Sequence, residues 1–270
     1  MKQSADFIKV IESYTICLYG EFCGVCRPIG SGILVQKDGL FYLISAHHVF
    51  DREEEMTQIK NDPEEDGIDH DDTDSVFIRI IEQNEVVFYR INDYMTGVVF
   101  TAFADEKGTP TINEDTEYAI CHLTSGMVQC IHDAGKCFFE IEDTIEKSID
   151  PTHTIIISGY PQYAHKNDVG LHRSFKCEIN RNIHSDEKCL LRVMFNNHDA
   201  YNLEQLKVIQ IPGIDGMSGG GIWKYGLKGL EPIGIILKQD HCERYVEGYS
   251  FAHIINDLKR DINKSHEANI

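Results

Sequence analysis

Short β-branched and aromatic runs, each closed by turn residues, limit what this 270-residue chain can fold into. The clearest unit is Gly30-Ser31-Gly32-Ile33-Leu34-Val35, followed by Gln36-Lys37-Asp38-Gly39 and then Leu40-Phe41-Tyr42-Leu43-Ile44. Two apolar runs joined across Asp-Gly predict a hairpin, because such a tight turn needs residues that accept positive φ. Similar runs recur at residues 14–19, 75–81, 85–91, 137–141, 153–158, 189–195 and 207–211. Helical periodicity is confined to the ends. Phe7, Ile8 and Ile11 predict a short first helix, and Phe251, Ile254, Ile255 and Leu258 form an i, i+3, i+4, i+7 stripe. The pattern predicts an all-β fold with a terminal helix.

Composition narrows the setting. A net charge of −19 argues against binding nucleic-acid phosphates or anionic membranes, since both need a basic surface. No stretch approaches the roughly 20 apolar residues of a membrane span. Residues 1–7 carry no signal-peptide core, so the expected compartment is the cytoplasm. Nine cysteines at irregular spacing agree, because reducing compartments keep thiols free.

The chemistry-bearing motif is Gly216-Met217-Ser218-Gly219-Gly220-Gly221. Glycines around a serine expose its hydroxyl and let successive backbone N–H groups converge on a developing oxyanion. Upstream stand Ser45-Ala46-His47-His48-Val49 and Glu117-Tyr118-Ala119-Ile120-Cys121-His122-Leu123. Serine needs a base to take its proton, histidine titrates near neutrality, and a carboxylate holds the imidazole in the right tautomer.

In the order His, acid, Ser, these segments resemble the chymotrypsin/trypsin-like serine peptidases, in their bacterial cytosolic form. Ser45–Val49 looks like the family's T-A-A-H-C segment, Glu117–Leu123 like D-I-A-L-L-x-L, and Gly216–Gly220 like G-D-S-G-G. Ile157-Ser158-Gly159-Tyr160-Pro161 resembles a G-Y-P turn of bacterial members. Ile233-Gly234-Ile235-Ile236 resembles one wall of the specificity pocket. The resemblance implies two antiparallel Greek-key β-barrels, residues 1–125 with the histidine and acid, and residues 126–270 with the nucleophile and terminal helix.

It further implies a triad of His48, Glu117 and Ser218, with the N–H groups of Gly216 and Ser218 as the oxyanion hole. Substrate would lie along Ile236, Leu237 and Lys238, over a pocket base near residues 211–213. No metal or cofactor is implied. Asp115, on the same strand face as Glu117, is the second candidate for the acid. His47, pointing elsewhere than its neighbour, is expected to pack or hydrogen-bond. Met217 replaces the aspartate through which trypsin-like zymogens sense a new N-terminus, so control must come by another route. The expected activity is a serine endopeptidase acting on protein or peptide, gated by an activating partner or narrow in specificity, in a bacterial stress or defence setting. The alternative is a catalytically silent trypsin-like binding module. An esterase of the α/β-hydrolase type would place the serine before the acid and histidine, against the order here.

Two further features keep two readings each. Residues 51–74 are densely acidic: a solvated loop, or a calcium loop beginning at Asp62, Glu64, Asp66 and Gly67, although Thr73 stands where an EF-hand carries glutamate. Cys23 and Cys26 are either unlinked thiols or half of a zinc site without a second pair. Pocket preference is open between small or apolar residues and, through Lys238, an acidic one. No acid at the base favours arginine or lysine.

Overall fold

The computed structural model describes residues 2–22, 25–50, 76–82, 85–91, 95–100, 102–104, 110–112, 118–142, 153–165, 169–178, 184–185, 190–227, 229–240, 244–256 and 258–259. Glu117, Asp115, Cys23 and the acidic segment 51–74 lie outside them, so the acid and calcium expectations concern positions not described.

Helix α1 (Lys2–Tyr14) buries Ile8 and Ile11, and Phe7 stacks on Tyr225 at 4.9 Å. It is longer than the short helix expected, and Tyr14 ends it rather than opening a strand. The first sheet contains β1 (Thr15–Phe22), β2 (Val25–Lys37), β3 (Leu40–Ala46), β4 (Val76–Glu82), β5 (Glu85–Arg90) and β6 (Met95–Phe100). A separate pair is formed by β7 (Ala102–Ala104) and β8 (Pro110–Ile112). The first sheet also takes β9 (Tyr118–Leu123) and, in parallel with β2, β10 (Phe139–Glu140). Its order is β5-β4-β1-β2-β3-β9-β6. The β2–β3 hairpin turns at Asp38 (φ 51°) and Gly39 (φ 79°), so both turn residues take the positive φ that Asp-Gly was expected to accept.

The second sheet is built from β11 (Thr154–Gly159), β12 (Arg173–Cys177), β13 (His184–Ser185), β14 (Leu190–Met194), β15 (Ala200–Asn202) and β16 (Lys207–Ile209). It is completed by β17 (Gly221–Gly226), β18 (Gly229–Asp240) and β19 (Tyr245–Ser250), in the order β13-β14-β19-β18-β17-β11-β12-β15-β16. The pairing within each of the two sheets is antiparallel, β10 apart. The chain is therefore mostly β with a few helices. No closed barrel is found among the described residues. In the second sheet a lone antiparallel bridge, Glu178 to Met194, ties the end of β12 to the end of β14.

Helices are not confined to the ends. Besides the four-residue α2 (His47–Phe50), a mid-chain α3 (Ser125–Asp133) buries Met127, Val128 and Ile131. The Thr124 hydroxyl caps α3 by accepting from the Met127 N–H, and Gly135 follows at φ 75°. This corrects the expectation from periodicity. Its buried face covers only three positions, too few to stand out among apolar strands, but the Thr cap and trailing glycine were readable.

One apolar core runs through the first sheet, α1, α3 and the terminal helical residues 251–256, and takes in Trp223, Ile235 and Leu237 from the second sheet. A second core, with Ile155, Phe175, Ile222 and Met217, lies within the second sheet. Among the described residues no helix is long and apolar enough to cross a membrane.

Candidate active site

The histidine pair sits on α2 because β3 ends at Ala46 and its next residues turn inward: Val49 and Phe50 are buried, His47 is half-buried and His48 is exposed. The serine sits on a turn between Ile211 and β17 whose form is set by glycine. Gly216 has φ 85° and Gly219 φ 80°, values that favour glycine. The Met217 N–H donates to the Ile214 carbonyl (2.8 Å), and the Gly220 N–H to the Met217 carbonyl (2.8 Å), closing two tight turns around Ser218.

The two segments meet. A Cβ on Gly219 would lie 2.0 Å from the Ser45 hydroxyl oxygen, 2.2 Å from the Ser31 carbonyl and 2.8 Å from the Ala46 nitrogen. Only a residue without a side chain lets the serine turn rest on the strand end that leads into His47-His48. Ser31, in β2, fastens the contact. Its N–H donates to the Ser218 carbonyl (2.8 Å), its hydroxyl donates to the Gly216 carbonyl (3.0 Å), and that hydroxyl accepts the Tyr160 N–H (2.9 Å). The Ser45 hydroxyl in turn donates to the Ser31 carbonyl (2.6 Å). All of these serine groups except Ser218 are fully buried, where an unmade hydrogen bond costs about 1–3 kcal/mol.

The back of the turn is held from the second half. The Gln162 N–H donates to the Asp215 carbonyl (2.7 Å), and Met217 is fully buried beside Gly159. An apolar side chain thus occupies the position before the serine, and hydrogen bonds from Ser31 and Gln162 hold the turn. Among the described residues, no carbonyl accepts the N–H of Gly216 or of Ser218.

Ser218 is half-buried, and its hydroxyl donates to the Leu237 carbonyl (3.0 Å). Strand β18 runs past the turn: the Gly219 N–H donates to the Ile236 carbonyl (2.7 Å), and the Ile236 N–H to the Gly220 carbonyl (2.8 Å). A register shift between Ile236 and Lys238 leaves Leu237 as the bulged residue. Ile236 and Leu237 are buried, whereas the Lys238 side chain is 59 % exposed. Lys238 is paired with Glu247 (3.2 Å), which also holds Arg192 (2.9 Å). Lys238 and Arg192 thus share one carboxylate.

Asn197 was missed in the sequence. Its carbonyl accepts the Ile211 N–H (2.9 Å), its amide donates to the Pro212 carbonyl (3.3 Å), and its side-chain oxygen accepts from Gln239 (2.6 Å). It therefore joins the expected pocket base to the expected wall. Nothing in the run Asn196-Asn197-His198-Asp199 signals that role. Cys17, Cys26, Cys121, Cys130, Cys137 and Cys177 are free thiols, and burial pushes Cys17 up to about 12. Among the described residues no His, Cys, Asp and Glu cluster is arranged to hold a metal.

The structure thus brings the serine turn to the histidine strand, while the expected acids at 115 and 117 lie outside the described residues. No protein-family model and no curated protein sequence matches this chain, so its reading rests on its own geometry.

Proposed function

We propose that this protein is a serine endopeptidase of chymotrypsin-like type. Ser218 is the nucleophile, His48 the base, and Glu117 or Asp115 the orienting carboxylate; the Gly216 and Ser218 N–H groups receive the oxyanion. The observation that carries this reading is the seat of Gly219 on Ser31, Ser45 and Ala46, which sets the nucleophile turn beside the histidine segment. The same proposal reads each half as a Greek-key barrel, divided near residue 125, with the segment to residue 140 crossing back to pair with β2. The Glu178–Met194 bridge and the succession of β5 and β6 support closure of the two sheets.

The chemistry follows from the hydrogen bonds. In the resting arrangement the serine proton is engaged by the Leu237 carbonyl. A peptide lying along β18 beyond Ile235, where β17 no longer pairs, would offer an N–H to that carbonyl and release the hydroxyl to turn toward the base. The bond released is worth about 1 kcal/mol net, within reach of substrate binding or of a partner. Attack then passes the Ser218 proton to His48, which gives it to the leaving amine as the C–N bond breaks and the acyl-enzyme forms; water attacks that ester, its proton passing through His48 back to Ser218 as the carboxylic acid leaves. Gating of this kind suits a peptidase acting on protein substrates in the cytoplasm.

The same Ser218–Leu237 bond favours a second reading, a silent module that only binds peptides. A fluorophosphonate probe separates the two. The peptidase reading expects Ser218 to be labelled and a peptide-library digest to yield a narrow cleavage motif. An unlabelled serine, together with tight peptide binding, would leave the silent module.

A further inference from the structure

A cavity of about 290 Å³ lies directly behind the segment that braces the serine turn. Its walls come from β1 (Ile16, Cys17, Tyr19), from Arg79 in β4, from the end of α3 and Lys136, and from Tyr160 and Gly170 of the second half. Two cations and one carboxylate, Asp133, line it, and the Glu12 carboxylate acts on Lys136 from beside it. Arg79 has no hydrogen-bond or ion-pair partner among the described residues. The Lys136 ammonium donates to the Glu12 carbonyl (2.9 Å) and to the Tyr160 hydroxyl (3.0 Å), which leaves the third of its N–H donors unused. Tyr160 in turn donates to the Thr15 carbonyl (3.3 Å), so its hydroxyl is fixed beside the ammonium.

We propose that this cavity binds a small organic anion, a carboxylate or phosphate head on an apolar body, and that its occupancy acts on the serine turn. The proposal of an action on the turn rests on the peptidase reading; the binding itself does not. An unpaired guanidinium beside an ammonium with a free donor matches the two acceptor edges of such a head. Ile16, Ile131 and Val169 supply the apolar wall, and the volume stands at the lower end of ligand pockets, about 300 Å³, enough for a single-ring molecule. Burial holds the Lys136 ammonium below its ordinary pKa, and a bound anion would restore it.

The connection to the turn is short. Tyr160, which closes one side of the cavity, gives its N–H to the Ser31 hydroxyl, and that hydroxyl donates to the Gly216 carbonyl. A Cβ on Gly216 would sit 2.9 Å from the Tyr160 carbonyl, so the two backbones are in direct contact. Strand β11 joins the same segment to Trp223, the chain's single tryptophan, whose indole donates to the Ser158 hydroxyl at 2.8 Å. A shift of Tyr160 is therefore felt at Gly216 and at Trp223.

The test titrates the full chain with benzoate, phenyl phosphate and inorganic phosphate by calorimetry, while following Trp223 emission and the rate of fluorophosphonate labelling. Benzoate or phenyl phosphate should bind, Ser218→Ala should bind equally well, and Arg79→Gln and Lys136→Met should each weaken binding about tenfold with the thermal midpoint retained. Phenyl phosphate binding alone identifies a phosphate ligand, benzoate alone a carboxylate. Inorganic phosphate binding as tightly as either would overturn the apolar half of the proposal. No binding of any probe, or binding untouched by both substitutions, would overturn the site. Binding that changes neither Trp223 emission nor the labelling rate would overturn the action on the turn. Should Ser218 never label, the peptidase reading falls, and the calorimetry and Trp223 emission still decide this one.

Discussion

Each half of the molecule has a sheet whose first strand is paired on both sides, yet the two supply different segments to the candidate site. In the first half β1 pairs with β2 and β4, β2 with β3, β3 with β9, and β9 with β6, which follows β5, the partner of β4. In the second half β11 pairs with β12 and β17, β14 with β19, β19 with β18, and β18 with β17. Among the described residues, β12 and β14 are joined there by the Glu178–Met194 bridge. The first half thus has a continuous hairpin that ends in a helical turn and presents imidazoles. The second has a long bulged strand beside a turn of glycines. The lesson is that similar strand pairing constrains the scaffold and leaves the loops to differ, and a loop of one half is pressed against a strand end of the other.

The comparison can be broken most decisively at its chemical division. If the first half supplies the base and the second the nucleophile, His48→Ala and Ser218→Ala should each lower kcat about 10⁴-fold or more, and His47→Ala should leave most turnover. Full peptide hydrolysis by purified His48→Ala would remove the first half from the mechanism. Glu117→Gln should be crippling and Asp115→Asn mild; the reverse result moves the carboxylate by two residues.

The contact between halves is tested by two glycines with nearly the same φ. Gly219→Ala must force a Cβ into Ser45 and Ser31 as well as strain the backbone, and should cost about 3 kcal/mol or more in urea unfolding. Gly39→Ala, at φ 79° with nothing within 4 Å, meets only the backbone strain of about 1 kcal/mol. Equal losses would mean that the halves are not tightly seated at Gly219.

Ser31→Ala sharpens the same point with a smaller change. It leaves the buried Tyr160 N–H and Gly216 carbonyl without their partner, which predicts a loss of about 2 kcal/mol and a lower kcat at nearly unchanged KM. An unaltered kcat would show that Ser31 holds the fold but not the turn.

A loss of similar size to that of Ser31→Ala, but set by pH, is expected from His172, a group of the second half. Burial, then Lys136 and Arg173, depress its pKa to about 3. The folded state keeps it neutral while the unfolded chain takes up a proton near pH 6.5. Stability from this group is therefore complete above about pH 6.5 and falls by about 1.4 kcal/mol per pH unit down to about 3. Urea melts at pH 7.5 and 5 should differ by roughly 2 kcal/mol through this group, and His172→Phe should remove that difference. A pH dependence untouched by the substitution would assign it elsewhere.

Much of the scaffold was legible because its signals are local. Asp38-Gly39 predicted the hairpin, the apolar runs near 75–81, 85–91 and 153–158 became β4, β5 and β11, and the glycines around Ser218 predicted a turn. Helix α3 was not found, because hydrophobic spacing over nine residues competes poorly with neighbouring strands, and its Thr124 cap was passed over. The role of Ser31 was invisible. A serine between two glycines in a strand reads as a small filler, and the Tyr160, Gly216 and Ser218 groups that it bonds lie 129 to 187 positions away.

What the sequence by itself determined is therefore the strand-rich character, the tight hairpin turn and the residue types offered for chemistry. Each depends on φ preferences and side-chain alternation within a few residues. The tertiary structure alone decided that Gly219 rests on Ser45, that Ser31 and Tyr160 brace Gly216, and that Arg79 and Lys136 share a cavity. Those outcomes follow from burying polar groups only where distant partners satisfy them and from packing without overlap. Such conditions bind residues far apart in the chain and leave no mark on local spacing.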